Sequence, residues 1–255
     1  MIKTEPLIRN SFGEKLDTWV ESPVEVKANV VLVHGFGTSK HESLKYFDDI
    51  TSSLVDDGFR VIRFDLSGYG KSEGDPVGVC YSKHVGDLQS VLNFVTANFH
   101  EKVFILAQSM GCFVTALTLP TGIDRILMTG IPNASPQFIV DRFSKRYGSK
   151  PGGKIDIKGI SLLPRSSGEI QQIGSQFWAD ILALDPIAQV TKLSLLTKLK
   201  IIHWNQDEVL GRDYLEDYDK IKTLESVWLD GDHSVSKPAD RENFIRIMLE
   251  YFNQK

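Results

Sequence analysis

The 255-residue chain predicts an α/β fold, a mainly parallel sheet flanked by helices. Three observations predict it. Runs such as Asn29-Val30-Val31-Leu32-Val33 are continuously apolar and β-branched, which suits strands covered on both faces. These runs alternate with segments whose apolar residues recur at helical spacing, the pattern of strands joined by crossover helices. Chemically capable side chains follow several runs directly, in glycine-bearing loops.

Taken in order, a short opening strand pair is expected over 4–21, ending near Leu16-Asp17-Thr18-Trp19-Val20. Further strands are expected near 29–34, 60–65, 102–107, 125–130, 199–204 and 225–230, bringing the sheet to eight strands. A first helix carries Leu44, Phe47, Ile50 and Leu54 on one stripe, a second Val85, Leu88, Val91, Leu92 and Val95, and a last one Phe244, Met248, Tyr251 and Phe252. From Pro132 to about Val190 the alternation breaks. That stretch holds a helix around Pro136–Tyr147, a Pro151-Gly152-Gly153 hinge, two extended pieces at Lys154–Leu163 and Glu169–Ile173, and an apolar segment from Gln176 to Leu182. It reads as an inserted cap, 132–190, on a single core made of 1–131 and 191–255.

Composition narrows the classes. The chain is 42% hydrophobic and 24% charged, ordinary for a globular protein, and its net charge of −4 gives no support for nucleic-acid binding. The densest basic group, Arg142, Lys145 and Arg146, reads as a solvated helix face. Two cysteines far apart, Cys80 and Cys112, indicate no disulfide. The opening residues lack the apolar centre of a secretory signal, and no run approaches the roughly 18–20 apolar residues of a spanning helix. The expected setting is cytoplasmic. No metal-ligand cluster or phosphate-binding glycine loop is present, so neither metal nor cofactor is expected, and the oligomeric state, monomer or homodimer, is not legible.

The chemistry begins at Ser109. In Ala107-Gln108-Ser109-Met110-Gly111 an apolar strand turns through a serine into a helix, close to the G-x-S-x-G nucleophile elbow. Upstream, Val33 leads into His34-Gly35-Phe36-Gly37. Backbone N–H donors for a developing oxyanion typically come from such a loop and from the residue after the nucleophile, here Phe36 and Met110. His34 itself suits a structural role.

Asp207 and His233 complete the set. Each follows an apolar strand, and the order Ser109, Asp207, His233 is the hydrolase order Ser…Asp/Glu…His. Glu208 and Asp232 remain rival acids; Asp207 comes earliest in its turn, and Asp232 adjoins His233, whose side chain should point away from it. Among the other histidines, His41, His84 and His100 read as exposed, and His203 as packed and hydrogen-bonded within its strand.

With these residues the chain resembles the α/β-hydrolase superfamily from about Val30 to the C-terminal helix. Arg60-Val61-Ile62-Arg63-Phe64-Asp65-Leu66-Ser67-Gly68-Tyr69-Gly70-Lys71-Ser72 looks like that superfamily's strand 4 and D-x-x-G-x-G-x-S loop, which implies a structural role for Asp65. The nearest likeness is to single-domain serine esterases of the cinnamoyl/feruloyl-esterase and monoacylglycerol-lipase kind, which pair an H-G-F loop with a small insertion after strand 6. Ala107 departs from the usual glycine. The resemblance implies a serine carboxylesterase acting on a small-molecule ester with a small-to-medium acyl or aromatic group. Phe138, Phe143, Phe177 and Trp178 are the candidate pocket residues. Peptidase, thioesterase and C–C hydrolase activities remain alternatives, as does a ligand-binding protein with vestigial turnover.

Overall fold

A computed structural model describes residues 2–254; Met1 and Lys255, the outermost residues of the expected core, lie outside the described residues. The strands are β1 (Ile2–Thr4), β2 (Ile8–Arg9), β3 (Lys15–Leu16), β4 (Thr18–Ser22), β5 (Ala28–Val33), β6 (Phe59–Phe64), β7 (Val103–Gln108), β8 (Ile123–Thr129), β9 (Ser161–Pro164), β10 (Ile170–Ile173), β11 (Lys198–Trp204) and β12 (Glu225–Leu229). Eight of them form one sheet in the order β1-β4-β6-β5-β7-β8-β11-β12. The pairings β1–β4 and β4–β6 are antiparallel; every pairing from β6 to β12 is parallel. All six residues of β5 and of β7 are buried, as continuous apolar runs require of strands with a helix layer on each face.

The opening is more divided than its sequence suggests. β1 and β4 join the large sheet, while β2 and β3 form a separate small hairpin between them. The Asn10 side chain makes that turn, its Oδ1 accepting the N–H groups of Phe12 and Glu14, with Gly13 at φ 79°.

The helices are α1 (Tyr46–Asp56), α2 (Tyr81–Asn98), α3 (Met110–Thr118), α4 (Pro136–Phe143), α5 (Ser175–Leu182), α6 (Pro186–Ser194) and α7 (Pro238–Phe252). On one side of the sheet α1 and α7 bury Phe47, Ile50, Leu54, Phe244 and Met248. On the other, α2, α3 and α6 bury Leu88, Val91, Val95, Phe113 and Leu193. Truncating a fully buried ring such as Phe244 would cost about 3–5 kcal/mol.

Two expectations about helix faces are corrected. Leu44 is exposed, because it precedes α1 in a turn with φ 53°. His84, expected at the surface, is fully buried on α2. Its Nε2 lies 3.1 Å from the Ser67 carbonyl, and the neighbouring Asp87 accepts from the Ser67 N–H and hydroxyl and from Asn10. A polar residue on a helix reads as solvent-facing until a loop from elsewhere supplies its partners.

After β8 the chain leaves the sheet. Ser135 caps α4 by accepting the Phe138 N–H, with Pro136 in the first turn. A single π turn, 144–148, follows; then come the β9–β10 hairpin, α5 and α6 before β11 returns to the sheet. Of the extended piece expected over Lys154–Leu163 only Ser161 onward is strand; Lys154 bridges back to Leu162 across a turn held by Asp156 and Ser161. Residue 190 falls inside α6, whose Gln189 amide donates to the Ala116 carbonyl on α3. Among the described residues, no helix is long and apolar enough to cross a membrane.

Candidate active site

Ser109 stands between β7 and α3 with φ 53° and ψ −120°. A non-glycine residue held there costs on the order of 1–3 kcal/mol, which the surroundings must offset. The Ser109 N–H donates to the Thr129 carbonyl on β8, and the Cys112 N–H closes the turn on the Ser109 carbonyl, both at 2.9 Å. Gly111 permits the packing, since a Cβ there would collide with the Val33 and His34 carbonyl oxygens. Ala107 fits without disturbance: it is fully buried on β7, in register with Val33 and Met128.

Three side chains converge at the carboxyl ends of the parallel strands. His233 Nε2 lies 3.1 Å from Ser109 Oγ, and His233 Nδ1 lies 2.7 Å from Asp207 Oδ2. The other Asp207 oxygen accepts the N–H groups of Val209 and Leu210. The rival acids are occupied elsewhere. Glu208 Oε2 accepts the His233 N–H at 3.4 Å, and Asp232 accepts from Ser234 and from Ser236 in its own turn. Burial alone would lower the His233 pKa; the Asp207 charge and hydrogen bond outweigh it, with Glu42 and Glu208 adding, and the net shift is upward.

Met110 N–H opens α3, where no intrahelical acceptor exists for it. Neither it nor the Phe36 N–H makes a hydrogen bond among the described residues. His34 is buried beneath that loop: its Nε2 accepts the Leu66 N–H and its Nδ1 lies 2.8 Å from the Gly35 carbonyl, which makes Nδ1 the protonated nitrogen. Burial lowers its pKa, opposed by Glu42. Asp65 accepts the backbone N–H groups of Lys40 and Lys71 and pairs with the Lys40 ammonium at 3.1 Å, the loop-tying role the resemblance implied.

His203 is packed but not as expected. Its ring stacks on Trp228 at 4.6 Å and on Tyr218 at 6.2 Å, yet neither nitrogen has a hydrogen-bond partner among the described residues. A parallel strand pairs its backbone and leaves a side-chain nitrogen to whatever the next layer offers, here two aromatic faces and the Asp219 carboxylate 3.8 Å from Nε2. Cys112 is buried behind the elbow, its Sγ 3.3 Å from the Ala107 carbonyl, and burial pushes its thiol pKa far up.

A cavity of about 160 Å³ opens over Ser109 and His233. Phe143 and Phe177 line it; Phe138 and Trp178 do not. Phe138 packs on Tyr214 at 5.2 Å, on another side of α4, and Trp178 is fully buried with its Nε1 donating to Ser161. Helical spacing turned these two rings away from the cavity. Of the basic group expected to be solvated, Lys145 and Arg146 are exposed, but Arg142 is half-buried and donates to the Glu208 and Val209 carbonyls, and Arg142 and Arg146 line the cavity.

Several residues at the site gave no sequence signal. The Glu42 carboxylate accepts the N–H of Gly35, inside the H-G-F loop, together with the Thr38 hydroxyl and Ser43 N–H. Positive φ values at Glu42, Leu44 and Lys45 mark strain in that segment. Gln108 Nε2 donates to the His233 carbonyl at 2.9 Å. Gly130, at φ 54°, leaves room for the imidazole, since a Cβ there would lie 3.0 Å from His233 Cε1. Among the described residues, no group of three or more His, Cys, Asp or Glu is placed to hold a metal ion.

Comparison with known proteins agrees with this architecture. A family model described as serine aminopeptidase, S33, matches residues 24–144, just under half of the chain. The esterase domain of a Rhodothermus marinus protein is 20% identical with a TM-score of 0.73, covering 98% of each chain. A Pyrococcus furiosus esterase is 16% identical with a TM-score of 0.74, over 98% of this chain and 90% of that one. Est1E from Butyrivibrio proteoclasticus, bound to ferulic acid, is 18% identical with a TM-score of 0.75, over 98% and 100%. By its sheet order, its strand-to-helix elbow and these likenesses, the chain has the α/β-hydrolase fold.

Proposed function

We propose that the protein is a serine carboxylesterase in which Ser109 is the nucleophile, His233 the general base and acid, and Asp207 the group that orients the imidazole. The observation that carries this reading is the continuous chain of contacts from Ser109 Oγ through His233 to Asp207, at 3.1 and 2.7 Å. With the Nδ1 proton facing Asp207, the Nε2 lone pair faces the hydroxyl. As Oγ bonds to the ester carbonyl carbon, Nε2 takes its proton, and the carbonyl oxygen becomes an oxyanion held by the N–H groups of Phe36 and Met110. Each such donor contributes about 10²–10³ in kcat. The tetrahedral species expels the alcohol oxygen, which receives the proton from Nε2. Water then adds to the acyl-enzyme by the same route and frees the acid.

The segment 132–190 is proposed to act as the cap, with Phe143 and Phe177 facing a substrate of small-to-medium acyl or aromatic type. The ferulic acid held by the Butyrivibrio protein and the esterase nature of the other likenesses support an ester. An aminopeptidase would need a free carboxylate for the substrate ammonium. Both acids at the cavity are engaged instead, Glu42 by three donors and Glu208 by the His233 N–H. Cys80 and Cys112, unpaired and buried, suit the reducing cytoplasmic setting proposed for the protein.

The test is Ser109→Ala assayed on p-nitrophenyl butyrate. Turnover should vanish with the fold intact by circular dichroism, and an organophosphonate should label wild type stoichiometrically and the variant not at all. Undiminished hydrolysis by the variant would exclude the assignment.

A further inference from the structure

Most arginines are ion-paired among the described residues: Arg9 with Glu73, Arg60 with Glu101, Arg63 with Glu21, Arg212 with Glu216, Arg241 with Asp49 and Arg246 with Glu250. Arg142, Arg146 and Arg165 pair with no carboxylate among the described residues, and all three line the cavity over Ser109. Arg142 spends its donors on the carbonyls of Glu208 and Val209, and Arg165 on the Gly37 carbonyl at 3.0 Å and the Tyr147 hydroxyl at 3.1 Å. These partners are neutral, so the charges remain uncompensated. Arg146 makes no hydrogen bond among the described residues.

The charges are also close together. Arg146 Cζ, Arg165 Cζ and Lys150 Nζ lie 5.8, 5.9 and 5.3 Å from the centroid of one ring, Tyr147. A face of one aromatic ring attracts cations but does not cancel their mutual repulsion. Glu42 and Glu208 also line the cavity but pair with none of these arginines, so on a chain of net charge −4 the cations at its mouth are left to attract an anion.

We infer that Arg146 and Arg165 form an anion subsite beside Tyr147, and that the natural substrate is an ester bearing a carboxylate or phosphate remote from its scissile carbonyl. This rests on the esterase reading above and narrows it to a substrate class. Arg165 couples the subsite to the chemistry, because its guanidinium also holds the Gly37 carbonyl next to Phe36. Matched substrates separate an anionic group on the acyl part of the ester from one on the alcohol part.

The experiment compares kcat/KM by proton release for monomethyl adipate against methyl hexanoate, and for the butanoate ester of 4-hydroxybutyrate against butyl butanoate. At least one anionic ester should exceed its neutral partner by about tenfold, the scale of one charge-assisted hydrogen bond. The margin should shrink in about 0.5 M NaCl, where exposed charges are screened. Arg146→Met and Arg165→Met should each lower the anionic-to-neutral ratio about tenfold, and Arg146→Lys should keep most of it. A purely structural role would depress both substrates together and leave the ratio unchanged. Equal or lower kcat/KM for both anionic esters, or a ratio unmoved in both variants, overturns the inference. If no ester is hydrolysed, the esterase reading falls by itself. Calorimetric titration of wild type with adipate and with inorganic phosphate then decides: binding that Arg146→Met weakens sustains the anion subsite, and no binding of either overturns it.

Discussion

The side-chain amide of Gln108 donates to the backbone carbonyl of His233 at 2.9 Å, so the residue before Ser109 holds the loop that carries His233. Its oxygen accepts the Thr129 hydroxyl from the neighbouring strand. Three segments far apart in the chain are thereby joined at one amide. Gln108→Leu would leave a buried carbonyl and a buried hydroxyl without partners, a cost of about 1–3 kcal/mol for each unsatisfied group. The expected result is a lower urea midpoint and a kcat reduced by roughly tenfold with little change in KM, because a misplaced imidazole harms the transition state more than binding.

Asp207→Asn should keep the fold and lose about 10³–10⁴ in kcat, since the amide can turn the imidazole to the wrong tautomer. Steady-state kinetics on p-nitrophenyl butyrate checks this, with thermal unfolding as the control. A Glu208→Gln variant losing as much as Asp207→Asn would transfer the acid role to Glu208.

The upward shift of the His233 pKa has a kinetic consequence. As the proposed base, His233 acts when neutral, so kcat/KM should rise with pH through a midpoint above the usual histidine value of about 6.5. Glu42 contributes to that shift, and Glu42→Gln should move the rising limb to lower pH. An unmoved limb in that variant would show that Glu42 does not act on the imidazole.

Buried histidines set the acid stability. Burial pushes His84 and His203 down to about 4, against partial opposition from Asp87 and Asp219 respectively. Between about 6.5 and 4 the unfolded chain binds protons that the folded one refuses, so stability falls as pH drops through that window. His233 acts oppositely: its contribution is full below about 6.5 and is lost as pH rises through its folded value. Urea midpoints measured from pH 7 to 4 should therefore decline, and His203→Phe, which keeps a ring between Trp228 and Tyr218, should flatten the decline. A parallel decline in that variant would contradict the role given to His203.

Much of the candidate site was legible because strand ends and loops announce themselves. Ser109, Asp207 and His233 each follow an apolar run directly, and a parallel sheet brings such positions to one edge whatever lies between them. The inward faces of α4 and α5 were less legible. Phe138 and Phe143 are five residues apart on one amphipathic helix, and only the packing of α4 decides which ring meets the cavity.

The amino-acid order alone determined the alternation of strands and helices, the turn at Ser109 and the positions of Asp207 and His233 in loops after later strands, because these depend on local periodicity and short-range sterics. Tertiary structure decided that His84 and Asp87 face inward, that Gln108 donates to the His233 carbonyl, and that Arg142, Arg146 and Arg165 gather at one cavity without pairing with a carboxylate among the described residues. The reason is physical: the partner of a polar side chain comes from whichever distant segment the fold brings beside it, and no local pattern records that meeting.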